Sequence, residues 1–325
     1  MEQVVGINDK LEQLDYIIYS SSLRLFKNIK DSMRRCTSFS TSKALFDLQT
    51  SFKNVFRHYR ALLKRSIPSR HYDINYEIIK YGLPGSTQSI KDLPDKPMSE
   101  DVEMKCVYII NTCEYCLDII PTLQNSIEDK IDTEYADKID LSNVASDLFR
   151  ELIRASVNCL VVSLCARNDQ IYAKTLLIVN WQEFTMSGVI EQMQYMKDVS
   201  LEIQKRVVAI KKELNPIYFN LFINKLASAL PSNFLLNVYK IKKTISNESP
   251  QQFLFDIQNE LRNILLTLPG ISQNEQGVIV QEQNASKTVP ESYKNFVDKN
   301  IQKVMGRFKV MSYPRDALVI REGYQ

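Results

Sequence analysis

The chain has 325 residues, 44% of them hydrophobic, with 41 basic residues against 38 acidic and a net charge of +3; a compact chain of this size buries roughly 75% of its unfolded surface, enough for two or three domains or one elongated array. Only 8 glycines and 2 histidines occur, which argues against glycine-looped nucleotide-binding folds, many-turned β proteins and histidine-based metal or acid–base chemistry. The net charge conceals segments: 13 basic and 6 acidic residues in 1–71 give +7, 6 and 16 in 72–149 give −10, and 22 and 16 in 150–325 give +6, read first as solvated helix faces and second as surfaces for different partners.

In chain order, Ile7, Leu11, Leu14, Ile18, Leu25, Ile29 and Met33 recur at helical spacing and predict a first helix. Ser40 to Ser42 offer an N-cap to a second, with Leu45, Leu48, Phe52, Val55, Phe56, Tyr59, Leu62 and Leu63, as an antiparallel hairpin. Residues 66–98, with Pro68, Gly82, Pro84, Gly85, Pro94 and Pro97, break the pattern for too long to be an ordinary connection. Ser99 caps a long helix running from Val102 to Ile131, with Glu100 and Asp101 at its positive end and Pro121 as a kink. Asp140 caps the next, through Leu164. Thr175 to Trp181 reads as a strand or, preferably, as the continuation of a buried helix. Another helix covers Ile190 to Leu214. Asn215-Pro216 then supplies the N-cap and first turn of a helix ending at Pro231, and a short helix covers Phe234 to Ile241. Pro250 and Pro290 open two amphipathic helices, the first closed by Pro269-Gly270, with a Gln/Asn/Glu-rich loop at 272–286 expected to be poorly ordered. The fold class is therefore all-α, a series of antiparallel helical hairpins. Residues 1–98 form an N-terminal hairpin plus long loop, and 99–325 a C-terminal bundle.

The candidate chemistry is thin. Cys113-x-x-Cys116 has no second pair to complete a zinc site and sits mid-helix, where positions three apart share a face, so core packing is the better reading. All six cysteines, Cys36, Cys106, Cys113, Cys116, Cys159 and Cys165, are expected to be free thiols. Glu2, Asp9, Lys10 and Glu12 interrupt any leading apolar stretch, and no apolar run reaches about 18 residues, so neither signal peptide nor membrane span is expected. Two basic clusters contain aromatics: Arg57-His58-Tyr59-Arg60 with Lys64, Arg65, Arg70 and His71, and Tyr239 through Lys243. Phosphate or acidic-lipid contact is conceivable at both, but solvated helix faces explain them more simply. Trp181 reads as a core anchor. The acidic run Glu128, Asp129, Asp132, Glu134, Asp137 and Asp140 lacks the spacing of a calcium loop. No G-x-S-x-G, Walker-type loop or H-E-x-x-H occurs.

Three passages do carry a resemblance. Glu114-Tyr115-Cys116-Leu117 leads through Leu123 to Ile127-Glu128-Asp129-Lys130-Ile131-Asp132; Leu266-Thr267-Leu268-Pro269-Gly270-Ile271-Ser272 follows; Ser292-Tyr293-Lys294 and Val304-Met305 through Lys309-Val310-Met311 complete the series. In order and approximate spacing they resemble the vacuolar-protein-sorting subunit family numbered fifty-three, of the Golgi-associated retrograde protein (GARP) tethering complex and its endosomal counterpart. Gly270 stands where that family has serine. The resemblance covers about 220 residues, from Cys106 onward.

The resemblance implies a CATCHR-like helical rod and a non-enzymatic role, capturing endosome-derived vesicles at the trans-Golgi network. It implies as partners the other tethering subunits, SNAREs and a small GTPase, with peripheral membrane association from the cytoplasm, no cofactor and no nucleic acid. It implies too that the chain is a C-terminal piece of a longer protein. Lys240, Lys242, Lys243, Lys294 and Lys299 are the expected contact residues. The alternative is a helical module binding nucleic acid or phosphoinositide through residues 57–70 and 239–243.

Overall fold

A computed structural model describes residues 4–5, 16–68, 96–186, 191–241, 245–274, 278–281 and 289–311. Helical spacing of apolar residues makes nearly every described element a helix. The chain divides into two compact units. Unit one holds the described residues of Met1–Asp73, Met98–Leu160 and Lys212–Phe219, and unit two those of Ile74–Pro97, Val161–Lys211 and Asn220–Gln325.

In unit one, β1 (Val4–Val5) pairs antiparallel with β2 (Ile18–Tyr19). Of the predicted first helix, the part from Ser20 onward is α1 (Ser20–Thr37), residues 16–19 are not helical, and residues 7–15 lie outside the described residues. Ile18 and Tyr19 are extended because Thr112 holds the Tyr19 amide through a 2.9 Å bond to its Oγ1. After α2 (Lys43–Arg65) come α3 (Glu100–Glu128) and a single turn, α4 (Thr133–Ala136). Pro121 lies inside α3, and Glu100, Asp101 and Glu103 fill its first turn. Asp132, in the acidic run, accepts the Thr41 hydroxyl at 2.9 Å and donates its amide to the Thr41 carbonyl at 3.0 Å, anchoring the α1–α2 loop. Phe26, Phe56, Tyr115 and Phe149 form the aromatic centre, with Phe26 5.8 Å from Tyr115 and 6.1 Å from Phe56. Phe149 belongs to α5 (Ser142–Lys174). The cap of α5 is not Asp140: Gln124 of α3 accepts the Leu141 and Ser142 amides at 2.9 and 2.8 Å.

Unit two corrects three expectations. First, α5 ends at Lys174, and Thr175 to Trp181 is neither strand nor helix but a turn, closed by the indole N–H of Trp181 on the Leu176 carbonyl at 2.9 Å. Second, after α6 (Gln194–Glu213), Asn215 caps α7 through its Oδ1 and the Ile217 amide, as predicted, but α7 runs unbroken over Pro216–Tyr239. Pro231 lies inside it. Residues 226–238 are buried on every face, and packing of that kind offsets the roughly 3 kcal/mol that an internal proline costs. Third, α8 (Ser249–Phe255), a π-helical turn (Asp256–Leu261) and α9 (Arg262–Thr267) lead through a 3-10 turn to β3 (Ile271–Gln273), paired antiparallel with β4 (Ile279–Gln281). Part of the supposed polar loop is thus a short ladder; 275–277 and 282–288 lie outside the described residues. The last helix is α10 (Glu291–Met311). Trp181 is a core anchor, 4.7 Å from Phe253 and 6.3 Å from Tyr195, and Phe308 stacks into the same cluster, 5.8 Å from both Phe234 and Phe253.

Candidate partner-binding surface

The candidate surface is built on α10 (Glu291–Met311), which is fixed at its start and along one face. The Pro290 carbonyl accepts the Tyr293 and Lys294 amides at 2.9 and 3.1 Å, starting the helix one residue after the proline. Tyr293, Val297, Ile301, Val304, Met305 and Phe308 are buried against α8, α9 and the π turn. Two polar ties set the rotation of the helix about its axis. The Tyr293 hydroxyl donates to the Leu265 carbonyl at 3.0 Å. Arg262 forks Asp298, Nε to Oδ1 at 2.5 Å and Nη2 to Oδ2 at 3.1 Å. That bond holds the Arg262 guanidinium above its ordinary pKa, and the two-point geometry fixes direction as well as distance.

The opposite face of α10 exposes Lys294, Lys299, Lys303, Arg307 and Lys309. Lys294 and Lys299, both predicted, are five residues apart and hence about 140° around the axis, so they do not form one patch. Lys299, Lys303 and Arg307 fall at intervals of four and make a single basic stripe. Phe296 is 38% exposed beside it. Lys303 and Arg307 are absent from the sequence-based expectation, which takes Lys294 and Lys299 from the polar side without their angular separation; the spacing of four from Lys299 carries the signal.

The other predicted residues lie elsewhere. Lys240 follows α7, donates to Asn237 Oδ1 at 3.1 Å and stands 3.7 Å from Asp169 Oδ2. Asp169 Oδ1 accepts Asn233 and Asn237 at 2.7 and 2.6 Å, so Lys240 closes a polar cluster between α5 and α7. Lys242 and Lys243 lie outside the described residues, as do Arg70 and His71. On α2, Arg57 and His58 are exposed, whereas Arg60 pairs with Glu151 at 2.7 Å. Cys113 and Cys116 are fully buried free thiols, and burial pushes both well above the usual thiol range. Core packing accounts for the C-x-x-C motif. Among the described residues, no cluster of three His, Cys, Asp or Glu side chains could hold a metal, and no helix is long and apolar enough to cross a membrane.

No model of a known protein family matches the chain. Over 301 residues it is 30% identical to vacuolar protein sorting-associated protein 53 A of Arabidopsis thaliana, a match covering 93% of this chain and 33% of that protein. The chain is related to vacuolar protein sorting-associated protein 53. It spans about a third of that relative's length. A crystal structure of the C-terminal domain of the exocyst subunit Sec6p shares the fold, with a TM-score of 0.62 over 94% of this chain and 70% of that one, at 13% identity. The passages similar to vacuolar protein sorting-associated protein 53 lie in the second half of α3 and just past its end, across the end of α9 into β3, and in α10.

Proposed function

We propose that this chain is part of a vesicle-tethering complex subunit serving endosome-to-trans-Golgi retrograde transport. The observation that carries this reading is the 30% identity across 93% of the chain to vacuolar protein sorting-associated protein 53 A; the fold shared with the Sec6p domain agrees with it. The chain acts by binding proteins or vesicle surfaces from the cytoplasmic side, with other tethering subunits as partners and SNAREs and a small GTPase as further ones. The exposed side of α10 is the proposed contact surface, centred on Lys299, Lys303 and Arg307 with Lys294 on one flank. Lys240, Lys242 and Lys243 are the second candidate, on their sequence alone.

Charge reversal tests both levels of this reading. In cells lacking the full-length parent protein, a recycling Golgi cargo should be mis-sorted, and re-expression of the parent should restore it. A parent carrying Lys294→Glu, Lys299→Glu, Lys303→Glu and Arg307→Glu should reach normal abundance yet restore sorting poorly. Full rescue by that variant contradicts the surface; normal sorting without the protein contradicts the function.

A further inference from the structure

The hairpin of α1 and α2 carries more apolar surface than its own core uses. Phe52, Phe56, Tyr59 and Leu63 of α2 are buried, but Val55 and Leu62, on the flank of the same helix, are 38% and 42% exposed. With Leu25 of α1 they line an open cleft of about 390 Å³, completed by Asn54, His58 and Tyr59. The floor is rigid: the Ser21 and Tyr59 hydroxyls bond across the two helices at 2.9 Å. Apolar side chains with a concave arrangement and a fixed floor are what a docked side chain requires.

The charge around the cleft selects the occupant. Helix α1 carries five basic residues against one acidic, and α2 six against one. Three of them neighbour its lining residues. Arg57 is pinned beside it by a 2.9 Å bond to Asn54 Oδ1; Arg24 adjoins Leu25, and Arg65 lies one turn beyond Leu62, both exposed. We infer that the α1–α2 cleft is a docking groove for an acidic amphipathic helix of a partner protein, apolar side chains entering between Leu25, Val55 and Leu62 while flanking Asp or Glu meet Arg24, Arg57 and Arg65. An amphipathic helix in a groove presents apolar anchors at intervals of three and four with charge alongside, the complement of this surface. A nucleic-acid backbone offers phosphates but no apolar anchor to fill the cleft, and a membrane surface needs a convex apolar face to insert. The groove does not depend on the tethering reading, and either can fail without the other.

The test is fluorescence anisotropy on the purified 325-residue chain. The probe is a fluorescein-labelled helical peptide with Leu at i, i+3, i+4 and i+7 and Glu at its flanks. Saturable binding that weakens as salt rises is expected, with a scrambled peptide of the same composition binding at least about tenfold more weakly. Leu62→Glu should cost about tenfold or more and Leu62→Ala less, because a charge in the cleft both clashes and repels. Leu62 is 42% exposed, so circular dichroism and melting temperature of both variants should match wild type. Arg57→Glu with Arg65→Glu should weaken binding and flatten its salt dependence. Three results overturn the inference: no binding of the acidic helix, equal binding of the scrambled peptide, or indifference to Leu62→Glu. Displacement of the peptide by phosphatidylserine vesicles or duplex DNA in an arginine-dependent, Leu62-independent way also overturns it, marking a general polyanion surface.

Discussion

Asp256 is a carboxyl fully buried in unit two. It accepts the Tyr195 hydroxyl and, at 3.0 Å, the Gln252 amide, whose N–H also reaches the Glu191 carbonyl at 3.2 Å. Burial pushes its pKa up to about 7, against the lowering effect of the Tyr195 and Gln252 bonds and with the help of Glu260. The folded protein therefore holds this proton more tightly than the unfolded chain, whose aspartates titrate near 4. Stability contributed by the neutral form is fully present below about pH 4 and is lost as pH rises through about 7, by an amount of order 4 kcal/mol. Asp256→Asn keeps the shape and removes the titration. Trp181, the only tryptophan, sits in the same aromatic cluster as Tyr195, so its emission reports unfolding of this unit. Wild type should lose urea resistance between pH 5 and 7.5, and Asp256→Asn should lose clearly less; parallel curves refute the assignment. Asn111 is a second buried polar centre, in unit one. Its side chain donates to the Ile17 and Glu213 carbonyls at 3.0 and 2.8 Å and accepts the Asn215 amide at 3.0 Å, serving one backbone group beside β2 and two that helix ends leave unpaired.

At the scale of elements, most helices were legible because one face of each is apolar at intervals of three and four. The failures have local causes. Pro231 was read as a stop, since propensity ranks proline last, yet the surrounding residues are so apolar that α7 stays buried through it. Gln124 replaced Asp140 as the cap of α5, a choice set by a residue one helix away and invisible to local spacing. The π turn at Asp256–Leu261 and the β3–β4 ladder leave no periodic trace in so few residues. For the candidate surface, exposure of Lys294 and Lys299 was readable, but their separation around the axis and the alignment of Lys303 and Arg307 needed the helix set in place. Arg262 does part of that setting. Because the pair with Asp298 is partly exposed, with side chains 28% and 36% accessible, Arg262→Leu should cost only about 1 kcal/mol. That loss should be local: amide hydrogen exchange should quicken about fivefold in α10, with α7 unchanged. Unchanged exchange in α10 contradicts the role given to the pair.

For the whole molecule, the charge segments acquire places. The positive charge of residues 1–71 lies on α1 and α2, which carry +4 and +5 against a net +7 for the segment, and the acidic run that follows α3 anchors the loop joining them. Composition pointed to binding rather than catalysis, and the relationship to vacuolar protein sorting-associated protein 53 gives that binding a setting. It came through three short passages in the right order, each unremarkable alone. The chain spans only a third of that relative's length. Affinity purification of the tagged full-length parent from its own cells, with its companions identified by mass spectrometry, tests the central claim most directly. Recovery of the other retrograde tethering subunits in near-equal amounts is the predicted result; a full-length parent that purifies reproducibly without any of them contradicts it.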